Sequence, residues 1–184
     1  MDELIDILDS DGNKTGKTAL KSESHKNGWF HQTVHIWFYT NDNEVLLQKR
    51  AKNKAVFPLL WDVSVAGHIG AGEKIEASAL REVEEEIGVL VLETDLHKIG
   101  CFKSIQKHTV TLIDCEYNHT FISKLNVDFT SLKKQDSEVE DLQLKSISEF
   151  KKDLDDSELM KTYVPHSKEY YNLVFKAIEK TLKL

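Results

Sequence analysis

Glu82, Glu85 and Glu86 stand at i, i+3 and i+4 within ALREVEEEIG, a spacing that gathers side chains on one face of a helix. On a wheel of about 100° per residue, Ala79, Leu80, Val83 and Ile87 form the apolar stripe, and Glu82 and Glu86 flank that stripe instead of facing away from it. Like charges so spaced destabilise a helix by roughly 0.2–0.5 kcal/mol per pair, and partial burial adds to the cost. A divalent cation removes it. Oxygen-only ligation suits Mg²⁺, with Mn²⁺ as the alternative, because these ions bridge carboxylates to phosphate oxygens. A solvated acidic helix face would carry the same letters. The preceding turn, Gly67-His-Ile-Gly-Ala-Gly72, has more glycine than a plain strand-to-helix connection needs, and it lets backbone groups approach a metal or a phosphate closely. Glu73 follows the turn, and Arg81 is its natural partner, a pair that would tie the turn to the helix.

The elements that must position these groups read as follows. Leu4 to Leu8 is an apolar run stopped by Asp9-Ser-Asp-Gly-Asn13, which predicts an N-terminal hairpin over about residues 1–24. HQTVHIWFY, His31 to Tyr39, and EVLLQK, Glu44 to Lys49, predict a second hairpin around Asn41-Asp-Asn43. Asp62 to Val65 alternates as a half-buried strand. The helix itself spans Ile75 to Ile87, closed by Gly88 in the left-handed cap position. Ile99 to Ile105, Thr109 to Ile122 and Asp141 to Ile147 read as strands. Ser148 is the expected N-cap of a short helix, SEFKKDL. Over residues 167–182, Tyr170, Tyr171, Val174, Phe175 and Ile178 recur at spacings of three and four, which predicts a C-terminal helix packed on the core. Asn126 to Asp141 reads as a long mobile loop. Strands interleaved with helices imply an α/β fold in which helices cover a mixed sheet.

Composition narrows the function classes. The chain has 184 residues, 40% of them hydrophobic, with 8 Gly and 2 Pro, a balance that predicts one folded domain over residues 1–184. A net charge of −7 disfavours a nucleic-acid polymer as partner but suits a small diphosphate held by a cation and a few local basic groups. Cys101 and Cys115 form no CxxC pair, so neither a disulfide framework nor a zinc site is expected, and a reducing, cytoplasmic setting fits. No run approaches about 18 apolar residues, so no membrane span is expected. The apolar stripes do not separate core from interface, which leaves a homodimer open.

Gly67-x5-Glu73-x7-Arg81-Glu82-Val83-x-Glu85-Glu86-x-Gly88-Val89 resembles the Nudix box, residues 67–89, with every defining position filled. The resemblance implies the Nudix fold, an α/β/α sandwich with a mixed β-sheet, and hydrolysis of a nucleoside diphosphate linked to another moiety. It makes Glu82, Glu85 and Glu86 metal ligands, adds the Gly67 carbonyl, and assigns Glu73 and Arg81 a structural ion pair. A wider similarity, through LLQKRAKNKAVFPLLWDVSVAGH and DCEYNHTF, points to the isopentenyl-diphosphate isomerase-like branch. There the matching positions imply metal binding by His25, His31 and His68, diphosphate binding by Arg50 and Lys54, and an acid at Glu116. True isomerases carry a catalytic cysteine where this chain has Ala66, so a hydrolase is the expected activity, an isomerase is the alternative, and a non-catalytic nucleotide-sensing module stands third. The general base is left open among Glu85, Glu86 and Glu116, because distance to the attacked water decides it. His35 and His119 read as structural histidines, and Trp37, Trp61 and Phe57 as core. Glu138 and Glu140 read as solvated loop acids, and Tyr163 and Pro165 as an edge of the pocket.

Overall fold

The computed structural model describes residues 2–183, so Met1, the first residue of the expected N-terminal hairpin, and Leu184 lie outside the described residues. The chain opens with β1 (Leu4–Leu8) and β2 (Lys14–Leu20), paired antiparallel as a separate two-stranded sheet. A short helix that the sequence did not announce, α1 (Lys21–Asn27), follows directly and ends on Gly28 at φ 62°, a left-handed conformation that glycine adopts without penalty. Then come β3 (His31–Tyr39), β4 (Glu44–Arg50), β5 (Trp61–Asp62), β6 (Val65–His68) and α2 (Ile75–Ile87), followed by β7 (His97–Thr109), β8 (Leu112–Lys124), β9 (Val139–Ser146), α3 (Ile147–Asp155) and α4 (Lys168–Leu182).

The larger sheet runs β5-β4-β3-β8-β7, with β6 also on β3 and β9 also on β4. β3 and β8 are parallel and the other pairs antiparallel, which makes the sheet mixed. Alternation along β3 builds two cores. Val34, Ile36 and Phe38 face α2, where they meet Ala79, Val83 and Ile87. Trp37 and Tyr39 face the other way, against Phe150 of α3 and Tyr170, Val174 and Ile178 of α4. Helices on both faces of a mixed sheet give the expected α/β/α arrangement. Each large apolar side chain buried this way contributes roughly 1.5–3 kcal/mol. Among the described residues no helix is long and apolar enough to cross a membrane.

Several boundaries differ from the sequence reading. The second hairpin forms, but the paired residues of β3 and β4 are just Tyr39 and Val45, after which β3 turns to β6 and β8 while β4 turns to β5 and β9. Asp62 to Val65 is two short strands broken at Val63 and Ser64, and these four residues are all buried. The turn between the long strands falls at Val110 and Thr111, so Thr109 closes β7 instead of opening β8. The N-cap of α3 is Ser146, not Ser148. Its hydroxyl accepts from the Glu149 amide and donates to the Glu149 carboxylate at 2.7 Å, a reciprocal cap that the spacing Ser146-x-x-Glu149 encodes. The stretch 126–141 is tied down as well: Lys133 and Gln135 donate their amides to the carbonyls of Ile87 and Glu86 at the end of α2.

Candidate active site

β6 runs antiparallel to β3 and feeds the glycine turn, which brings the C-terminal half of α2 back over Ala66 and Gly67. The approach is close enough to demand glycine: a Cβ at Gly67 would lie 2.0 Å from Glu82 Cδ. Glu82 and Glu86 are 8% and 3% exposed, deeper than the flank of an apolar stripe implies, whereas Glu85 is exposed. Arg81 organises this face. It donates to Glu73 at 3.2 Å, to Glu82 at 2.7 Å, to Glu85 at 3.2 Å and to the His68 carbonyl at 3.1 Å, so the expected Glu73–Arg81 pair is one spoke of a hub. Glu86 accepts from Gln48 Nε2 at 3.1 Å and from the Ala66 amide at 3.3 Å. Burial pushes the Glu82 carboxyl up to about 7 against the pull of Arg81. Burial and the neighbouring Glu82 charge push Glu86 up to about 8. Two adjacent buried carboxylates with raised proton affinity are short of positive charge, which is the condition a divalent cation relieves.

Across β6 lies a second cluster. The parallel register pairs His31 with Glu116 and the antiparallel one pairs Thr33 with His68, while α1 supplies His25 from above. The ligand atoms of His25, His31, His68 and Glu116 all lie within 4.8 Å of one another. His31 is fully buried, and its Nδ1 faces the Trp29 carbonyl at 3.0 Å, an acceptor without a proton, so Nδ1 carries the hydrogen. Its Nε2 has no hydrogen-bond partner and faces the Glu116 carboxylate at 3.7 Å. The Nε2 atoms of His25 and His68 face each other at 3.3 Å. Desolvation holds His68 well below its ordinary range, aided by Lys21 and His31. Burial alone would raise Glu116, but the nearby imidazoles, His31 first at 3.7 Å, hold it well below the usual carboxylate range. Converging imidazole nitrogens beside a carboxylate could hold a metal ion.

Both clusters open into one cleft of about 800 Å³. Arg50 and Lys54 line it. Arg50 is held by Asp62 at 2.9 Å and by the Val56 carbonyl at 3.1 Å, and Lys54 pairs with Glu138. Asp62 is in turn bonded to His166 at 3.1 Å. The loop that carries Lys54 holds Phe57 and Leu59 at φ 48° and 62°, left-handed values that cost non-glycine residues of order 1 kcal/mol or more each. Such strain is characteristic of ligand-clamping loops.

The family model for the NUDIX domain matches residues 29–166, which include β3, the glycine turn, α2 and most of the cleft. The chain belongs to the NUDIX family. Membership places this Nudix protein among hydrolases that act on pyrophosphate bonds. It is 30% identical to an uncharacterized Nudix hydrolase of Clostridium acetobutylicum over 96% of this chain and 97% of that one. It is 35% identical to isopentenyl-diphosphate Delta-isomerase 2 of Photorhabdus laumondii, over 68% of this chain and 69% of that one, which bears out the isomerase-like branch. Nudix hydrolase 3 of Arabidopsis thaliana is 37% identical over 66% of this chain, a stretch that spans 16% of the plant protein. Among solved structures, DR0079 of Deinococcus radiodurans superposes with a TM-score of 0.62 at 16% identity, over 78% of this chain and 83% of that one, which shows the shared fold.

Within the Nudix cleft the sequence-derived residues fall into three groups. Glu82, Glu86, Gly67, His68, Glu116, Arg50 and Lys54 line it together, and Glu85 stands at its exposed rim. His31 is the fully buried member of the second cluster and does not line the cleft. Others moved: Phe57 lines the cleft, edge-on to His108, instead of joining the core. His35 lines it too, while His119 is buried on the opposite face of β8 against Gln32. Glu138 lines the cleft, paired with Lys54, while its side chain stays partly exposed. Val164 and His166 edge the pocket, whereas Tyr163 is buried in the α3–α4 core. Sequence reasoning missed Asp62, His166 and Asn118, whose partners lie on distant strands and carry no local spacing signal.

Proposed function

We propose that this chain is a Mg²⁺-dependent hydrolase that cleaves the diphosphate linkage of a nucleoside diphosphate derivative or a related phosphometabolite. The observation that carries the reading is the pair of buried, charge-deficient carboxylates Glu82 and Glu86 packed against Gly67, inside the cleft that Arg50 and Lys54 share. Glu82, Glu85, Glu86 and the Gly67 carbonyl would hold one cation, and His25, His31, His68 and Glu116 a second. A bound Mg²⁺ supplies neutralisation of the diphosphate charge and makes water more acidic. The chain's own groups do the rest. Arg50, fixed in direction by Asp62, and Lys54, released from Glu138, take the phosphate oxygens. Arg81 keeps the Glu82 and Glu85 carboxylates in place. The proton of the attacking water goes to Glu85, Glu86 or Glu116, all of which line the cleft, and distance to that water decides among them. Glu116 is aimed by the amide of Asn118, which donates to Oε2 at 2.9 Å.

One observation favours a second reading: the histidine cluster is whole, and the chain is similar to isopentenyl-diphosphate isomerases. The alanine methyl at position 66 has no proton to exchange with an alkene carbon. Cys101 is exposed and Cys115 buried on strands β7 and β8, and neither lines the cleft. The test is phosphate and monophosphate release from a panel of diphosphates, isopentenyl diphosphate included, with and without Mg²⁺. Metal-dependent release supports the hydrolase and names its substrate. Isomerisation of isopentenyl diphosphate without release would replace it.

A further inference from the structure

The buried wall of the cleft is hydrogen-bonding, and it leaves a hydroxyl proton and a ring nitrogen unmatched, two residues apart on one strand. The odd-numbered side chains of β3 form a row on one face of the sheet: His31 in the histidine cluster, then Thr33 and His35 in the cleft wall, then Trp37 in the core. Thr33 and His35 are 4% and 7% exposed, and Asn118, opposite Thr33 on β8, is 4% exposed. The Asn118 amide has two protons. One goes to Thr33 Oγ1 at 2.8 Å and the other to Glu116 Oε2 at 2.9 Å. Its 3.4 Å approach to His35 Nε2 therefore has no proton left to share. His35 Nδ1 is bonded to the Tyr170 hydroxyl at 2.8 Å, and that hydroxyl is itself fixed by Trp37 Nε1 at 2.9 Å. His35 Nε2 is thus a buried ring nitrogen without a partner. Thr33 Oγ1 accepts from Asn118, and among the described residues its own proton has no acceptor.

We infer that this wall is a subsite for a hydroxylated organic group, a sugar or sugar-alcohol unit attached to the diphosphate, and not for an alkyl chain. An alcohol both donates and accepts, so one hydroxyl answers Thr33 and His35 together. Desolvation and the neighbouring His166 hold His35 down at about 4, which keeps the ring neutral and able to pair with a neutral hydroxyl. An alkyl group in the same place would leave His35 Nε2, Thr33 Oγ1 and the Asp62–His166 pair facing hydrocarbon. Sites built to bind a substrate hydroxyl reject analogues that lack it far more strongly than apolar pockets reject an extra methylene. Specificity here therefore turns on buried polar groups and not on size.

This inference rests on the diphosphate reading above, and it is tested apart from it. Ribose 5-diphosphate and isopentenyl diphosphate each carry five carbons and one diphosphate and differ in hydroxylation. Their binding is measured by calorimetry with Ca²⁺ in place of Mg²⁺, and phosphate release is followed separately with Mg²⁺. The ribose compound is expected to bind at least about 100-fold more tightly, in line with the discrimination such hydroxyl-reading sites reach. His35→Leu and Thr33→Val are each expected to shrink that ratio by tenfold or more, and His35→Gln to restore part of it. Equal or reversed affinities in the wild type, or no binding of either compound, overturn the subsite whether or not the variants fold. A preference for the ribose compound with no phosphate released in Mg²⁺ leaves the subsite standing and overturns the hydrolase.

Discussion

Two groups of glutamate face the same cleft from opposite sides of β6 and have opposite proton affinities. Glu116 lies among imidazoles that stabilise its charge more than burial opposes it, so it is held ionised. Glu82 and Glu86 are both buried, with Arg81 bonded to one of them, so burial pushes them up to about 7 and 8, with Glu85 and Glu3 adding to the first and the Glu82 charge to the second. Around Glu116 the neighbours are converging ring nitrogens, whereas Glu82 and Glu86 crowd two acids beside one guanidinium. The difference teaches that carboxylates can be prepared for a cation in two ways, by nitrogen ligands gathered beside one acid or by negative charge left unmet.

The largest expected effect comes from breaking the side of Glu82 and Glu86. Gly67→Ala places a methyl inside the Glu82 carboxylate, and displacing a catalytic group by about an ångström can cost on the order of 10²-fold in rate. Steady-state kcat should fall by that factor while circular dichroism stays close to wild type. An unchanged kcat would show that Glu82 can move without consequence. Breaking the histidine side sharpens the contrast. His68→Ala should weaken cation binding at the histidine cluster by roughly 10–100-fold, a range seen even when supporting groups around a metal are lost. Equilibrium dialysis with Mn²⁺ reads this directly, and equal Mn²⁺ affinity in variant and wild type would remove the cluster from the metal assignment.

A smaller effect follows from pH. Glu82 and Glu86 hold their protons more tightly folded than unfolded, so the metal-free fold is more stable at low pH and loses that stability as pH rises from about 5 to about 8. Up to about pH 6.5 the buried neutral histidines His35, His68 and His119 oppose this, because they bind protons only when unfolded, so the fall of Tm in a chelator is read between about pH 7 and 8. In Glu86→Gln the fall should be shallower. Glu116 acts in the opposite sense, and its contribution is lost below the ordinary carboxylate range, outside this window. A flat Tm between these limits would contradict the charge deficit.

How much of this was legible in the sequence depends on how far apart the interacting residues lie. The face of α2, the glycine turn and the Glu73–Arg81 pair are local, and their spacing brought the acids and their partner together on the page, while the metal roles expected of them came from the resemblance to the Nudix box. The same locality gave the α4 stripe from Tyr170 to Ile178, whose residues are buried as expected. The opposite wall was not legible. Asp62 meets His166, and Thr33 meets Asn118, through strand registers that no short-range pattern encodes. Even a local signal can be misplaced: Ser146 and Ser148 both precede the α3 stripe, and Glu149, three residues after Ser146, identifies the true cap. The burial of Glu82 and Glu86 exceeded expectation because Gly67 lets β6 approach α2 more closely than any residue with a side chain allows.

The most direct test of the account is a Mg²⁺ titration at pH 8, followed in one protein by pyrophosphate-bond cleavage and by Tm, with Glu86→Gln in parallel. The account predicts that cleavage and Tm rise together with the same half-saturating Mg²⁺, and that Glu86→Gln loses the cleavage and most of the Tm response. Cleavage that proceeds in chelator, or a Glu86→Gln variant that keeps wild-type activity and the wild-type Tm response, would contradict it.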